Sequence, residues 1–261
     1  MVSYSACLFD LDGTLLLGRK AISGASELVS LLQEKGIPLA VITNNSAYSA
    51  RDHALQLQRS GIPVYSKQVY TSARAAGEEM AKLYPDAAVY VLGTPSLAAE
   101  LGRHGIQVVE ELPDAVLVGF DQTLSYERLR KACYFLEHGA TFLATHPDPT
   151  CPTEGQHLPD AGALLALLEA TTGRRPERIF GKPDPGFLKR VAESMGVDPA
   201  GCLYVGDRLE VDIPFALNAG AMAALVLSGA TSVGDPLLDS LPQGGVLVVK
   251  DLWELRGYLL G

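Results

Sequence analysis

The run Cys7-Leu8-Phe9-Asp10-Leu11-Asp12-Gly13-Thr14 sets three apolar residues directly ahead of two carboxylates spaced i and i+2. Cys7-Leu8-Phe9 reads as a short buried strand. Strand side chains alternate with period two, so Asp10 and Asp12 can project in one direction. Gly13 permits a sharp exit from the strand, and Thr14 can hydrogen-bond back onto it. In an open α/β sheet, ligand chemistry collects at the carboxyl ends of the strands. A plain Asp-Gly turn explains the glycine but not the paired acids. A calcium loop would need its glycine later, with further acidic ligands and a glutamate beyond it.

Working outward, short apolar runs alternate with amphipathic stretches. A helix over residues 27–34 places Leu28, Leu31 and Leu32 on one face and stops at Gly36. Leu39-Ala40-Val41-Ile42 forms a second buried strand, and Ser49 caps a helix that ends near Gly61, with Asp52 as a partial capping box. Further strands fall at residues 89–92, 116–118, 142–144, 203–205, 225–227 and 246–249. Helices fit between them at residues 126–137 behind Ser125, at 185–195 before Gly196, and at 213–219. This alternation predicts an α/β fold with a parallel sheet. The chain shows neither a solenoid-period repeat nor a low-complexity tract.

The 261 residues are 48% hydrophobic and 20% charged, which is ample material for a folded core. The net charge of −9 opposes nucleic acid and anionic membranes as main partners. No apolar stretch approaches the roughly 18 residues of a membrane span. The N-terminus shows no secretory signal, so a cytoplasmic protein is expected. Cys7, Cys133, Cys151 and Cys202 are scattered without a CxxC pair, which favours reduced thiols over zinc or disulfides.

Three further motifs end apolar runs. Thr43-Asn44-Asn45 supplies a hydroxyl, amides and loose backbone N–H groups suited to phosphate oxygens, although alone it is also an ordinary polar turn. Lys182, in Gly181-Lys182-Pro183, can present one positive charge to a phosphate. Asp207 and Asp212 frame Gly206-Asp207-Arg208-Leu209-Glu210-Val211-Asp212, and hard oxygens of this kind suit Mg²⁺. A carboxylate approaching a phosphate meets repulsion of about 4 kcal/mol per charge pair at roughly 4 Å and an effective dielectric of about 20. Mg²⁺ held by Asp10 and Asp207, with Lys182 nearby, would cancel it.

In this order, DxDGT, TNN, GKP and GDxxxxD resemble the motifs of the haloacid dehalogenase superfamily. The details of TNN, GKP, GDRLEVD and the ALVLSGAT run are similar to its type IIA, nitrophenylphosphatase (NagD-like) branch. The resemblance implies a Rossmann-like parallel-sheet core over residues 1–71 and 179–261, with an α/β cap inserted over 72–178. It implies a Mg²⁺-dependent phosphatase acting on a small phosphorylated metabolite through an aspartyl-phosphate. Asp10 would be nucleophile and metal ligand. Asp12 would be general acid and base, reaching the metal through its carbonyl. Thr43, Asn44, Asn45 and Lys182 would hold the phosphoryl group; Asp207 would ligate Mg²⁺ and Asp212 would support it. The segment 146–160, with His146 and Asp148, resembles the substrate-specificity loop, and caps of this branch can mediate a homodimer. Cys151 and His157 in that loop match no zinc spacing.

Other readings of the same residues are weaker. A dehalogenase has no need of Asp12, and a transport ATPase carries lysine and threonine after its nucleophile. A phosphotransferase or phosphomutase on this fold keeps every motif, and an idle binding protein would have lost one. GxSxG, GxxxxGK[ST] and GxGxxG are absent.

Overall fold

A computed structural model describes residues 4–153, 155–242 and 244–260. The chain forms two compact units: one runs up to Thr43, through Arg51–Tyr70 and from Lys182 onward, the other holds Asn44–Ala50 and Thr71–Gly181. The short segment Asn44–Ala50 lies outside the 72–178 insertion expected from the sequence. Glu154, inside the 146–160 segment, lies outside the described residues.

The first unit is built on a six-stranded sheet. Its order is Val246–Val249, Met222–Val226, Cys202–Gly206, Ala6–Phe9, Leu39–Thr43 and Val69–Thr71. Ala6–Phe9 pairs in parallel with Cys202–Gly206 on one side and Leu39–Thr43 on the other. All four residues of Ala6–Phe9 are fully buried, as expected for a central strand covered by helices on both faces. From Ala6–Phe9 the chain builds the sheet first to one side and later, through Cys202–Gly206, to the other. The crevice beyond the carboxyl ends of these two strands is therefore the topological switch point, where open α/β sheets bind ligands. Asp10 and Asp207 directly follow those two strands.

The second unit has a five-stranded sheet ordered Arg178–Ile179, Thr141–Ala144, Ala115–Val118, Ala88–Leu92 and Gln107–Val108, with its neighbours parallel. Period-two alternation divides its side chains between two cores. Val89, Val91, Ala115, Leu117 and Leu143 pack with Met80, Leu97 and Leu101 on one face. Tyr90, Leu92, Val116, Val118, Phe142 and Ala144 pack with Leu136, Leu164 and Leu168 on the other. Runs that are apolar at every position are thus explained by two covered faces. The helices that cover them are Ser72–Leu83, Pro95–Arg103, Tyr126–Glu137 and Ala161–Thr172.

Predicted and observed elements differ mainly at their ends. The strand expected at 225–227 spans Met222–Val226, because the Ala223-Ala224 start has little strand character of its own and is held by its neighbours. The helix expected at 213–219 begins one residue earlier, at Asp212. Two antiparallel hairpins, Leu16–Leu17 with Lys20–Ala21 and Thr150–Thr153 with Gln156–Pro159, are too short to show as periodicity. Among the described residues, no helix is long and apolar enough to cross a membrane.

Candidate active site

The first unit gathers most of the predicted residues around one buried ammonium. Lys182 Nζ donates to Asp10 Oδ1 at 2.6 Å, to Asp212 Oδ1 at 2.8 Å and to the Tyr204 hydroxyl at 3.0 Å. Tyr204 in turn donates to Asp212 Oδ1 at 3.1 Å. Lys182 is 2% exposed and Asp10 4% exposed, so this is an interior ion pair and not a solvated surface contact.

Local geometry explains how the acids reach it. Asp10 sits one residue past its strand and donates its backbone N–H to the Val205 carbonyl, so the sheet itself fixes the start of the loop. The loop then turns back, with Gly13 N–H bonded to the Leu16 carbonyl. Gly13 has φ +99°, and a Cβ there would lie 2.2 Å from an Asp207 carboxylate oxygen. Any other residue would be strained in backbone and would displace Asp207. Thr14, fully buried, donates to Asp207 Oδ1 at 3.1 Å, and the Ala230 N–H donates to Asp207 Oδ2 at 2.7 Å. Thr14 therefore reaches across to the neighbouring strand's acid and does not turn back on its own strand.

Asp212 is seated the same way. Tyr204 and Gly206 share one face of the strand Cys202–Gly206 by period two. A Cβ on Gly206 would lie 2.4 Å from the Asp212 carboxyl carbon, so the missing side chain is the space this carboxylate fills. Its second oxygen accepts from the Arg208 N–H at 3.0 Å. Asp12 is half-buried, bridged to Leu16, and Thr43 is buried at the end of its strand.

One oxygen from each of Asp10, Asp207 and Asp212 lies within 4.8 Å of the others. Fully ionised, three carboxylates face one ammonium and leave an excess of two negative charges. The titration behaviour reflects that excess. Burial pushes the Asp10 carboxyl well above the ordinary range, against Lys182 and with Asp212 and Asp207 adding. Burial, with Asp212 adding, raises Asp207 to about 6. Burial works against the Lys182 ammonium, yet Asp10 and Asp212 hold its pKa well above that of an ordinary lysine. Hard oxygen donors with two surplus charges fit a divalent cation such as Mg²⁺. All three carboxylates also accept hydrogen bonds from the protein, Asp10 from Lys182, Asp207 from Thr14 and the Ala230 N–H, and Asp212 from Lys182, Tyr204 and the Arg208 N–H.

The remaining predicted residues belong to the second unit. Asn44 donates from Nδ2 to Asp148 Oδ2 at 3.0 Å, and Asn45 Oδ1 accepts from the Ala47 N–H at 3.1 Å. His146 is wholly buried between Asp148 and Asp160, while Cys151 packs with Ala47 and Phe120. His157 is exposed on the hairpin Gln156–Pro159. Tyr204 is the member that sequence reasoning missed. Its signal was a phenol inside an otherwise apolar strand, where a buried hydroxyl needs a partner.

Acids at the switch point of an open parallel sheet, set around one lysine, make this an α/β protein with a buried, charged site at its strand ends. The profile of the haloacid dehalogenase-like hydrolases matches residues 7–107, and a HAD-hydrolase-like profile matches residues 179–255. The chain is 35% identical over 231 residues to the 5'-nucleotidase YutF of Bacillus subtilis (strain 168), covering 88% of this chain and 90% of that one. It is 34% identical over 243 residues to an acid sugar phosphatase of Staphylococcus aureus (strain MRSA252), covering 93% of each. Among solved structures, the 4-nitrophenylphosphatase of Thermotoga maritima superposes with a TM-score of 0.91 at 38% identity, covering 98% of this chain and 97% of that one. A glycerol phosphate phosphatase of Mycobacterium tuberculosis, solved in complex with magnesium, gives 0.85 at 32% identity, covering 97% of this chain and 77% of that one. The chain belongs to the haloacid dehalogenase-like hydrolases and is a phosphatase of that type.

The hydrogen bonds of Tyr204 to two charged groups make a direct test of the site's rigidity. Tyr204→Phe keeps the ring packing against Phe215 and removes only the hydroxyl. It should lower stability by about 1.5–3 kcal/mol, the range for hydrogen bonds to charged partners. Urea unfolding measures this, and a change near zero would mean that the hydroxyl does not hold Lys182.

Proposed function

We propose that this phosphatase is Mg²⁺-dependent and hydrolyses phosphate monoesters of small metabolites, sugar phosphates or nucleotides among them, through an aspartyl-phosphate on Asp10. The observation that carries the proposal is the contact of 2.6 Å between Lys182 Nζ and Asp10 Oδ1. It leaves a buried, oriented carboxylate whose charge is partly countered beside two further acids. The names of the relatives support the substrate class: they include sugar, nucleotide, glycerol and nitrophenyl phosphate enzymes.

In this reading Asp10 Oδ attacks phosphorus, the bond to the ester oxygen breaks, and Asp12 gives that oxygen its proton. Water then attacks the acyl-phosphate, Asp12 takes the water's proton, and inorganic phosphate leaves with Asp10 restored. Thr43, Asn44 and Asn45 bind phosphoryl oxygens, and Lys182 keeps Asp10 aimed while adding positive charge. Asp212 and Tyr204 fix Lys182. Asp10, the Asp12 carbonyl and Asp207 would hold Mg²⁺, which supplies charge neutralisation for the phosphoryl oxygens when bound. The 146–160 segment, with His146 and Asp148 buried and His157 exposed, chooses the leaving group.

Asp10→Asn should remove turnover in a variant that circular dichroism shows to be folded, and activity close to wild type in the purified variant would sink the nucleophile assignment. Asp12→Asn should slow alkyl esters by about 10²–10⁴-fold and aryl esters by much less, because a phenolate needs little protonation. Equal losses for both would contradict proton donation.

Chelator should abolish activity and Mg²⁺ restore it, whereas Ca²⁺, with longer and more numerous oxygen contacts, should bind without turnover. Full activity in excess chelator would refute the metal assignment. His157→Ala should reorder kcat/KM among esters, by about 10-fold or more for at least one pair; an unchanged ranking would remove His157 from substrate choice.

A further inference from the structure

The second unit contains a connected run of buried polar side chains that the phosphoryl chemistry does not by itself require. Asn44 Nδ2 donates to Asp148 Oδ2 at 3.0 Å. His146 Nδ1 lies 3.7 Å from the same Asp148 oxygen, and its Nε2 lies 3.5 Å from Asp160 Oδ1. Asp160 Oδ1 accepts from the Ala161 N–H at 2.6 Å and so caps the helix Ala161–Thr172. The four residues are between 0% and 7% exposed.

The backbone ties both ends of the run. The Asp148 carbonyl accepts from Gly162 N–H at 2.8 Å, and Asp160 N–H donates to the Pro149 carbonyl at 3.0 Å, fastening Asp148 to the start of the helix. At the other end, Ser72 Oγ donates to the Asn44 carbonyl at 2.6 Å. Two residues on, Ser46 Oγ accepts from Phe120 N–H at 2.9 Å, and the Ala47 carbonyl accepts from Thr94 Oγ1 at 2.8 Å. The loop that immediately follows Thr43 is thus shaped by the inserted unit.

A carboxylate only accepts, so Asp148 decides which end of the Asn44 amide faces it, and with the carbonyl held by Ser72 the residue has one orientation. Burying a carboxylate demands hydrogen bonding, and the Asn44 amide is one of the donors that Asp148 uses. His146, placed between the carboxylates of Asp148 and Asp160, packs against the same Asp148 oxygen that accepts from Asn44. We propose that Asp148 is a positioning residue, acting on the transferring phosphoryl group through Asn44. The inference rests on the reading of Thr43 and Asn44 as a phosphoryl-binding edge.

The test uses the full chain with Mg²⁺ and inorganic phosphate as a competitive inhibitor, a probe that has no leaving group. Asn44→Ala and Asp148→Ala should each raise the phosphate Ki, and the KM for p-nitrophenyl phosphate, by about 10–100-fold. Contacting residues that act as one should not add, so the double variant should match Asn44→Ala alone. Asp148→Asn keeps an oxygen acceptor and should stay within about threefold of wild type, while melting curves confirm that each variant is folded. Effects that multiply in the double variant overturn the inference, as does an Asp148→Asn variant that is folded and as impaired as Asn44→Ala. A raised Ki in Asn44→Ala with an unchanged Ki in Asp148→Ala refutes the inference alone. An unchanged Ki in Asn44→Ala refutes the phosphoryl-edge reading, and the inference with it.

Discussion

A lysine ammonium buried to 2% exposure is the constraint around which the first unit is arranged. An isolated charge at that depth is untenable, and breaking a buried pair by removing one partner costs about 3–5 kcal/mol. Lys182 is kept charged by Asp10 and Asp212, 172 and 30 positions away in sequence. The order of the strands follows from that need. Neighbouring carboxyl ends of one parallel sheet bring Asp10 and the loop from Asp207 to Asp212 to the same point, and the switch in strand order opens the crevice beyond them.

The same cluster is over-supplied with acid, which separates structural from chemical roles. Asp212 spends both oxygens on Lys182, Tyr204 and the Arg208 N–H, and so serves as the anchor. Asp10 and Asp207 carry raised pKa values, first through burial and then through their acidic neighbours.

Much of this was legible in the residues. The paired acids after Cys7-Leu8-Phe9 and Asp207 after Leu203-Tyr204-Val205 stand at the ends of apolar runs, while Lys182 and Asp212 stand just before or at helix starts, and both kinds of boundary are readable from period and punctuation. The alternation of runs gave the α/β class for a similar reason. What stayed hidden depends on packing between distant segments. Tyr204 looks like any strand aromatic until Lys182 arrives beside it. Thr14 looks like a local turn residue until Asp207 takes its hydroxyl. Ala223-Ala224 reads as weak strand because its order comes from its neighbours. Nor does any periodicity reveal that His146 is sealed between two carboxylates, since the partner Asp160 lies beyond a hairpin.

The seven residues Asn44–Ala50 that join the second unit alter what counts as a transferable module. The polypeptide crosses between units after Thr43, Ala50, Tyr70 and Gly181, so the insertion is stitched in at two places along the chain. Recombination that exchanged only Thr71–Gly181 with a relative would part Ser46 from Phe120, Ala47 from Thr94 and Asn44 from Asp148. The small loop and the large insertion are therefore parts of one hydrogen-bonded unit. A graft of the second unit is complete only when both stretches of chain are moved together.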